Sequence, residues 1–486
     1  MTLTLPHTGL LIDGVWQAAE SGRTLAVENP ATNEIIADIA DGGAIEARRA
    51  VEAAGRAQAS WASTAPRRRA EILRRAYELV VERTEWFAEL MTTEMGKPLD
   101  QSRGEVAYGA EFLRWFSEEA VRIGGESALT GDGSTRIVVS KVPVGPVVII
   151  TPWNFPLAMG TRKIGPALAA GCTIVFKPAE KTPLTSLALA DVLIEAGLPA
   201  GVLNLVTTSS PTEVVTPWMS SGIARKVSFT GSTAVGKTVL AQTVPHVMRA
   251  SLELGGNAAF IVCADADLDQ AVQGAMDAKM RNMGEACTAA NRLLVDRRVA
   301  DDFSAALAER MAALRVGNGM DAGVEVGPLI DEAGRSKVDR LVQGAIAQGA
   351  RTVVGSGSIG GPGYFYSPTV LADVPASCEI ATEEIFGPVA PVIPFDSEEE
   401  AIRLANATTA GLVGYVFSRD IDRVLNLGEA LEVGMVGINA GLVSNPRAPF
   451  GGVKQSGLGR EGSTVGIDEY LEYKYLAIPR RESPNV

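Results

Sequence analysis

The rhythm of apolar and polar positions changes about a third of the way along the chain. Over residues 44–59 and 66–96, apolar residues recur every three or four positions between charged ones, as in Ile72, Leu73, Ala76, Leu79 and Val80. That period predicts amphipathic helices with one face on a core. From about residue 140, short unbroken apolar runs alternate with helical stretches. Runs at 144–150, 173–176, 202–206 and 226–230 are separated by helical patterns over 161–170, 184–196 and 211–219. Strand, helix, strand at this spacing predicts right-handed βαβ units, and runs apolar on both faces belong to a parallel sheet covered on both sides. A second series begins at Phe260-Ile261-Val262. It continues through helical patterns over 268–283, 299–314 and 337–347 and apolar runs at 353–354, 389–395, 413–417 and 434–439. Two α/β units place a ligand crevice between them, at the carboxyl ends of the strands. The aromatic and apolar stretch 470–478 is too short for a domain and reads as an edge strand of this or another subunit.

Composition narrows the chemistry. The 486 residues carry 44 Lys+Arg against 57 Asp+Glu, a net charge of −13, with 46% hydrophobic and 21% charged residues. The acidic balance and the lack of a basic stripe argue against nucleic acid and anionic membranes as partners. The run Arg67-Arg68-Arg69 continues into Glu71, Arg74 and Arg75 and reads as the solvated face of a helix. The first seven residues have neither a basic start nor an apolar core, so no secretory signal is expected, and no apolar run approaches the ~20 residues of a spanning helix. Cys172, Cys263, Cys287 and Cys378 form no CxxC pair, which points away from disulfides and structural zinc and towards a reducing compartment, the cytoplasm. Only two histidines occur, His7 and His246, too few for imidazole-based metal sites; no metal is expected, and a catalytic base is expected to be something other than histidine.

Five segments carry candidate chemistry. In Phe229-Thr230-Gly231-Ser232-Thr233-Ala234-Val235-Gly236-Lys237-Thr238, two glycines expose backbone at a helix start, where free N–H groups favour anions. The spacing also fits GxxxxGK[ST], so a phosphate-cradling nucleotide site is open on pattern alone, although no later strand ends in an isolated Asp suited to Mg²⁺. In Leu252-Glu253-Leu254-Gly255-Gly256, flanking leucines can desolvate the carboxyl and raise its pKa towards general-base range; a plain element end is the alternative. Cys287 follows the glycine stop of an apolar helix, as either an activated thiol or a buried structural one. Asn154, bracketed by Pro152 and Pro156 after a strand, is either an oxyanion donor or a turn residue. Glu383-Glu384-Ile385-Phe386-Gly387-Pro388 alone would be a solvated turn.

In this order and at these separations, the five segments resemble the NAD(P)-dependent aldehyde dehydrogenase superfamily from about Asn29 to Lys474. The resemblance implies an α/β fold of two Rossmann-like doubly wound domains plus a small β oligomerisation arm. It places the cofactor domain at 1–124 and 144–254, the catalytic domain at 255–455 and the arm at 125–143 and 456–486. It implies Cys287 as nucleophile forming a thiohemiacetal, with Asn154 and the Cys287 N–H as oxyanion hole. Hydride would then pass to the nicotinamide, and Glu253 would activate the water that hydrolyses the thioester. Lys177 and Glu180 would hold the adenosine ribose, Gly231, Ser232 and Gly236 the pyrophosphate, and Glu384 and Phe386, beside Trp153, the nicotinamide riboside. A thiol, an amide and a carboxylate suit a chain so poor in histidine. A catalytically silent binding relative is the alternative of another class, and the joint presence of Cys287, Glu253 and Asn154 speaks against it.

Arg162, Arg281 and Ser444 resemble the residues by which succinate-semialdehyde dehydrogenases hold a distal carboxylate, and guanidinium groups suit that anion. By that resemblance a small anionic aldehyde, succinate semialdehyde, is the expected substrate, with glutarate semialdehyde and sulfolactaldehyde as alternatives. The chain departs from the usual pattern at Glu285, commonly Gln, at Met280, at Ala259 and at Pro446-Arg447. Ala289 replaces the second cysteine of that subfamily, so no redox switch is expected there. Glu180 argues for NAD, while Lys177 and Lys181 leave NADP open. The arm implies a homodimer or homotetramer.

Overall fold

The two series of apolar runs form two separate sheets in the computed structural model, which describes residues 4–480. In the first, five parallel strands lie in the spatial order Arg249–Glu253, Lys226–Thr230, Val147–Ile150, Ile174–Lys177, Leu203–Leu205. The chain enters at the middle strand, winds to one edge, then returns to wind to the other. The point of reversal, between Val147–Ile150 and Lys226–Thr230, leaves a crevice at the carboxyl ends of both strands. The strands Val147–Ile150, Ile174–Lys177 and Lys226–Thr230 are buried at every position, as the unbroken apolar run of the first requires; in the third the alternating Lys226, Ser228 and Thr230 are buried as well. An antiparallel pair, Leu10–Ile12 and Val15–Gln17, extends one edge.

The second sheet begins at Ala258, five residues after strand Arg249–Glu253 of the first. Its order is Arg351–Val354, Thr369–Ala372, Val389–Phe395, Ala290–Asp296, Ala258–Val262, Val413–Phe417, Met435–Ile438, parallel except for the first pair. A third, antiparallel sheet joins Glu126–Leu129, Thr135–Pro143 and Leu471–Pro479, with registers running from Leu471 opposite Pro143 to Pro479 opposite Thr135. Glu472–Pro479 is exposed along its whole length. Among the described residues no helix is long and apolar enough to cross a membrane.

Three expected boundaries move. The helical pattern over 66–96 is two helices, Pro66–Glu82 and Thr84–Met95, joined at Arg83, whose N–H still donates to Leu79 and Val80 while its backbone (φ −104°, ψ 26°) has left the helix. The pattern over 268–283 stops being helical at Met280, because Asn282 and Met283 take left-handed backbone, φ 53° and 54°. The arm does not begin at 456: Gly457–Leu458 pairs with Arg249–Glu253, and Ile467 and Tyr470 pack into the core of the first unit. Residues 481–486 of the expected arm lie outside the described residues.

The helices before the first sheet contribute two buried carboxylates that cap helices within it. Glu94 accepts the N–H groups of Leu184 and Thr185 at 2.7 and 2.9 Å, and Glu105 those of Leu157 and Ala158 at 3.0 and 3.1 Å. Carboxylates at these positions satisfy unpaired donors and meet the positive end of the helix dipole. Burial outweighs these bonds at Glu94 and lifts its pKa to about 7. Glu94→Ala should therefore strand two buried donors and cost about 2 kcal/mol. A lowered denaturant midpoint is the expected readout, and an unchanged midpoint would show the cap to be dispensable.

Candidate active site

Three strand ends of the first sheet and one loop of the second converge. Asn154 follows Val147–Ile150, Gly231 and Ser232 follow Lys226–Thr230, and Glu253 ends Arg249–Glu253. Cys287 lies between helix Leu268–Met280 and strand Ala290–Asp296 of the second sheet. The Gly255-Gly256 turn lets these loops touch: a Cβ on Gly256 would come within 2.2 Å of the Cys287 carbonyl oxygen.

A knot of buried hydrogen bonds joins the two loops. Asn154 Nδ2 donates to the Glu285 carbonyl at 3.0 Å, and Asn282 Nδ2 donates to that same oxygen at 2.9 Å and to the Asn154 carbonyl at 3.0 Å. The left-handed turn at Asn282 and Met283 aims the asparagine inward. The Asn154 amide thus has one hydrogen committed, leaving the second for a reacting oxygen.

Two cavities flank this knot. The smaller, about 300 Å³, is lined by Trp153, Asn154, Thr230, Gly231, Ser232, Cys287, Glu384 and Phe386. Phe386, at φ 58°, stands edge-on to Trp153 with ring centres 5.4 Å apart, and Glu384 accepts the Gly256 N–H at 3.0 Å. Thr230 Oγ1 is buried in this wall without a partner. The larger, about 800 Å³, is lined by Lys97, Glu105, Tyr108, Phe155, Arg281 and Ser444 among others. The Arg281 guanidinium lies 5.3 Å from the Tyr108 ring centre and 5.0 Å from that of Phe155.

Burial dominates the electrostatics. It pushes the Cys287 thiol up to about 12, helped by the Glu384 carboxylate and opposed by Arg162. Glu384 itself is lifted by burial to about 7. Glu253 is raised well above the ordinary carboxyl range by burial and by neighbouring Glu461, and its Oε2 has no partner. Burial pushes Glu461 the same way, but Lys163 and Arg162 outweigh it and hold that carboxylate ionised. Glu285 is also raised by burial; its Oε1 accepts the Ile330 N–H at 3.1 Å. A Glu285 that keeps its proton presents one acceptor and one donor, as a glutamine would.

The first unit fits a nicotinamide dinucleotide. A Cβ on Gly231 would sit 2.6 Å from the Phe229 ring and one on Gly236 2.3 Å from Leu254, so the helix start is kept bare. Ser232 caps that helix, accepting the Val235 N–H. Lys237 turns away to Gln455 Oε1 at 2.9 Å, which removes the lysine a triphosphate cradle needs. Lys177 Nζ donates to Glu180 Oε2 at 2.9 Å at the end of Ile174–Lys177; burial pushes Glu180 up, and Lys177 more than reverses it, keeping the carboxylate ionised. Lys181 instead faces Asp331 at 3.4 Å.

Arg281 and Ser444 share the larger cavity, but Arg162 does not join them. It is buried, paired with Glu461 at 2.8 Å and stacked 3.8 Å from the Phe450 ring centre. A lone arginine inside a helix buried at every position finds a carboxylate there, and Glu461 supplies it, also pairing with Lys163. Glu253 lines neither cavity; its Oε1 lies against Gly451. Sequence reasoning missed Lys97, Glu105, Tyr108 and Phe155. The adjacent cations Arg162-Lys163 in an apolar helix were the one signal that a buried acid such as Glu461 had to exist.

Residues 16–476 match the Aldehyde dehydrogenase family. A succinate-semialdehyde dehydrogenase of Paenarthrobacter nicotinovorans is 58% identical over 91% of this chain and 99% of its own length. A glutarate-semialdehyde dehydrogenase of Pseudomonas putida is 49% identical over 96% of this chain and 97% of its own. The crystal structure of a betaine aldehyde dehydrogenase from Staphylococcus aureus in complex with NAD+ superposes with a TM-score of 0.94 at 36% identity, covering 97% of this chain and 95% of that one. Fold, site and likeness agree: the chain belongs to the aldehyde dehydrogenase family and is an NAD(P)-dependent oxidoreductase.

Proposed function

We propose that this enzyme oxidises a short aldehyde with a terminal carboxylate, succinate semialdehyde foremost, to the acid. The observation that carries the reading is Arg281, stacked on Tyr108 and Phe155, sharing with Ser444 a cavity that ends at the loops of Asn154 and Cys287. A guanidinium held by two rings is a preorganised partner for a carboxylate. The names of the two relatives support it, and the second keeps a substrate one methylene longer in view.

Cys287, its thiol proton lost to solvent, attacks the aldehyde carbon as thiolate, and Asn154 Nδ2 with the Cys287 N–H takes the developing oxyanion. When bound, the nicotinamide accepts the hydride. Glu253 then draws a proton from the water that hydrolyses the thioester; its raised pKa makes it a strong carboxylate base once its own proton has left. Trp153, Glu384 and Phe386 hold the nicotinamide riboside, Gly231, Ser232 and Gly236 the pyrophosphate, and Lys177 and Glu180 the adenosine ribose. The ionised Glu180 accepts from a ribose 2′-hydroxyl and repels a 2′-phosphate, and Lys181 is turned to Asp331, so NAD is the preferred cofactor. The exposed sheet edge at Tyr473, Tyr475 and Ile478 is covered by a second copy of the chain, giving a homodimer or homotetramer. Cys172, Cys263 and Cys378, free and buried, fit a reducing, cytoplasmic setting.

Cys287→Ala should abolish aldehyde oxidation and leave NAD+ binding intact; residual turnover near wild type would sink the mechanism. A thiol raised to about 12 is protonated at neutral pH, so its thiolate fraction grows as pH rises. Alkylation of the cofactor-free enzyme by iodoacetamide should accelerate about tenfold per pH unit from about pH 7 to about pH 9; a plateau in that range would mean that the thiolate is already formed. Arg281→Ala should raise KM for succinate semialdehyde roughly 30-fold, with little change for butanal. Equal effects on both aldehydes would remove the carboxylate anchor.

A further inference from the structure

Lys97 is an ammonium only 1% exposed, placed directly after Gly96, whose left-handed backbone ends helix Thr84–Met95. The second unit clamps this turn: a Cβ on Gly327 would come within 2.0 Å of the Gly96 carbonyl oxygen, and Leu99 N–H donates to the Gly319 carbonyl at 3.0 Å. Lys97 Nζ donates to the Glu105 carboxylate and, at 2.8 Å, to the carbonyl of Asn154. It also lies 4.2 Å from the centre of the Phe155 ring, the ring that carries Arg281 at 5.0 Å.

Burying an ammonium is costly even after pairing, and an apolar side chain of similar volume commonly serves stability as well or better. What an apolar side chain cannot do is donate to a backbone carbonyl. The Asn154 carbonyl receives two donors, Lys97 Nζ and Asn282 Nδ2, from opposite sides of the chain's architecture: one from the helices before the first sheet, one from the nucleophile loop. With Glu105 also holding the Leu157 and Ala158 N–H groups, residues 154–158 are fixed at both ends. A side-chain amide one residue's freedom away from that carbonyl has its direction set by it.

We propose that Lys97 is a positioning residue of this active site: by holding the Asn154 carbonyl it aims the Asn154 amide at the reacting oxygen, and by lying on Phe155 it steadies the ring that supports Arg281. The proposal rests on the reading of Asn154 as oxyanion donor and Arg281 as carboxylate anchor. Lys97 acts through these residues and touches no substrate; its own charge is answered by Glu105.

The test is a double-mutant cycle on the full-length enzyme, with kcat and KM measured for succinate semialdehyde and for butanal and the Kd for NAD+ by fluorescence quenching. Asn154→Ala should lower kcat about 100-fold. Lys97→Met should lower kcat at least about tenfold on both aldehydes with the Kd for NAD+ within about twofold, and the double variant should be no slower than Asn154→Ala alone. If Lys97→Met does not fold, Lys97→Leu, equally unable to donate to the Asn154 carbonyl, is held to the same criteria. A kcat within about twofold of wild type, or multiplicative losses in the double variant, would overturn the positioning role; a raised KM for succinate semialdehyde is expected beside the kcat loss, through Phe155 and Arg281. Near-normal turnover of Asn154→Ala would instead overturn the active-site reading, and the proposal with it.

Discussion

The contact on which the rest of the site depends is the buried knot at Asn154, Asn282 and Glu285. Two loops that belong to different sheets share one carbonyl oxygen, that of Glu285, as acceptor for both asparagine amides. Each such bond contributes only about 1 kcal/mol net, but breaking one strands a buried polar group at about 1–3 kcal/mol. The arrangement is therefore all or nothing. It brings the carboxyl end of one α/β unit against the thiol loop of the other, and it demands backbone that ordinary residues resist: left-handed Asn282 and Met283, and a glycine at 256 where a methyl group would strike the Cys287 carbonyl.

Around that knot the molecule hides charge. An acidic chain, −13 overall, buries Lys97, Arg162 and Lys163 close to the thiol loop and matches them with Glu105 and Glu461. The same desolvation acts on the unmatched acids. Glu253 has an unpartnered oxygen, and at Glu384 the Gly256 N–H with Lys337 and Lys279 nearby does not offset burial, so both are pushed towards the neutral form, whereas Glu461, held by two cations, stays ionised. Two adjacent carboxyl groups with their proton affinities driven apart form the kind of pair from which acid–base roles are assigned. The low histidine count and the acidity of the chain thus meet in one place: the buried carboxyl groups Glu253 and Glu461 differ in environment and in proton affinity.

Much of the fold was legible. The unbroken run Val147–Ile150 needs no tertiary information, because full burial on both sides of the sheet leaves no polar position to blur the pattern. The order of the thiol, amide and carboxylate segments was legible for the same reason: each sits at a strand end or beside a glycine turn. What blurred were the places where backbone departs from its period. The helix that ends at Met280 carries apolar Met283 in register beyond it, so periodicity ran past the true end. Arg162 looked like a carboxylate anchor by its neighbours in sequence, yet its partner, Glu461, is 299 positions on and was invisible to local pattern.

The sequence by itself determined the fold class, the two α/β series and the inventory of candidate reacting groups, since those follow from periodicity and from which side chains occur at strand ends. Only the tertiary structure decided which charges face a cavity and which neutralise one another. Lys97 and Arg281 both line the larger cavity beside Phe155, but Lys97 is spent on Glu105 and a backbone carbonyl while Arg281 stands on two aromatic rings opposite no such partner among the described residues. That distinction is a matter of burial and distance, and charge interactions at a few ångströms in a low dielectric have no signature in the spacing of residues along a chain.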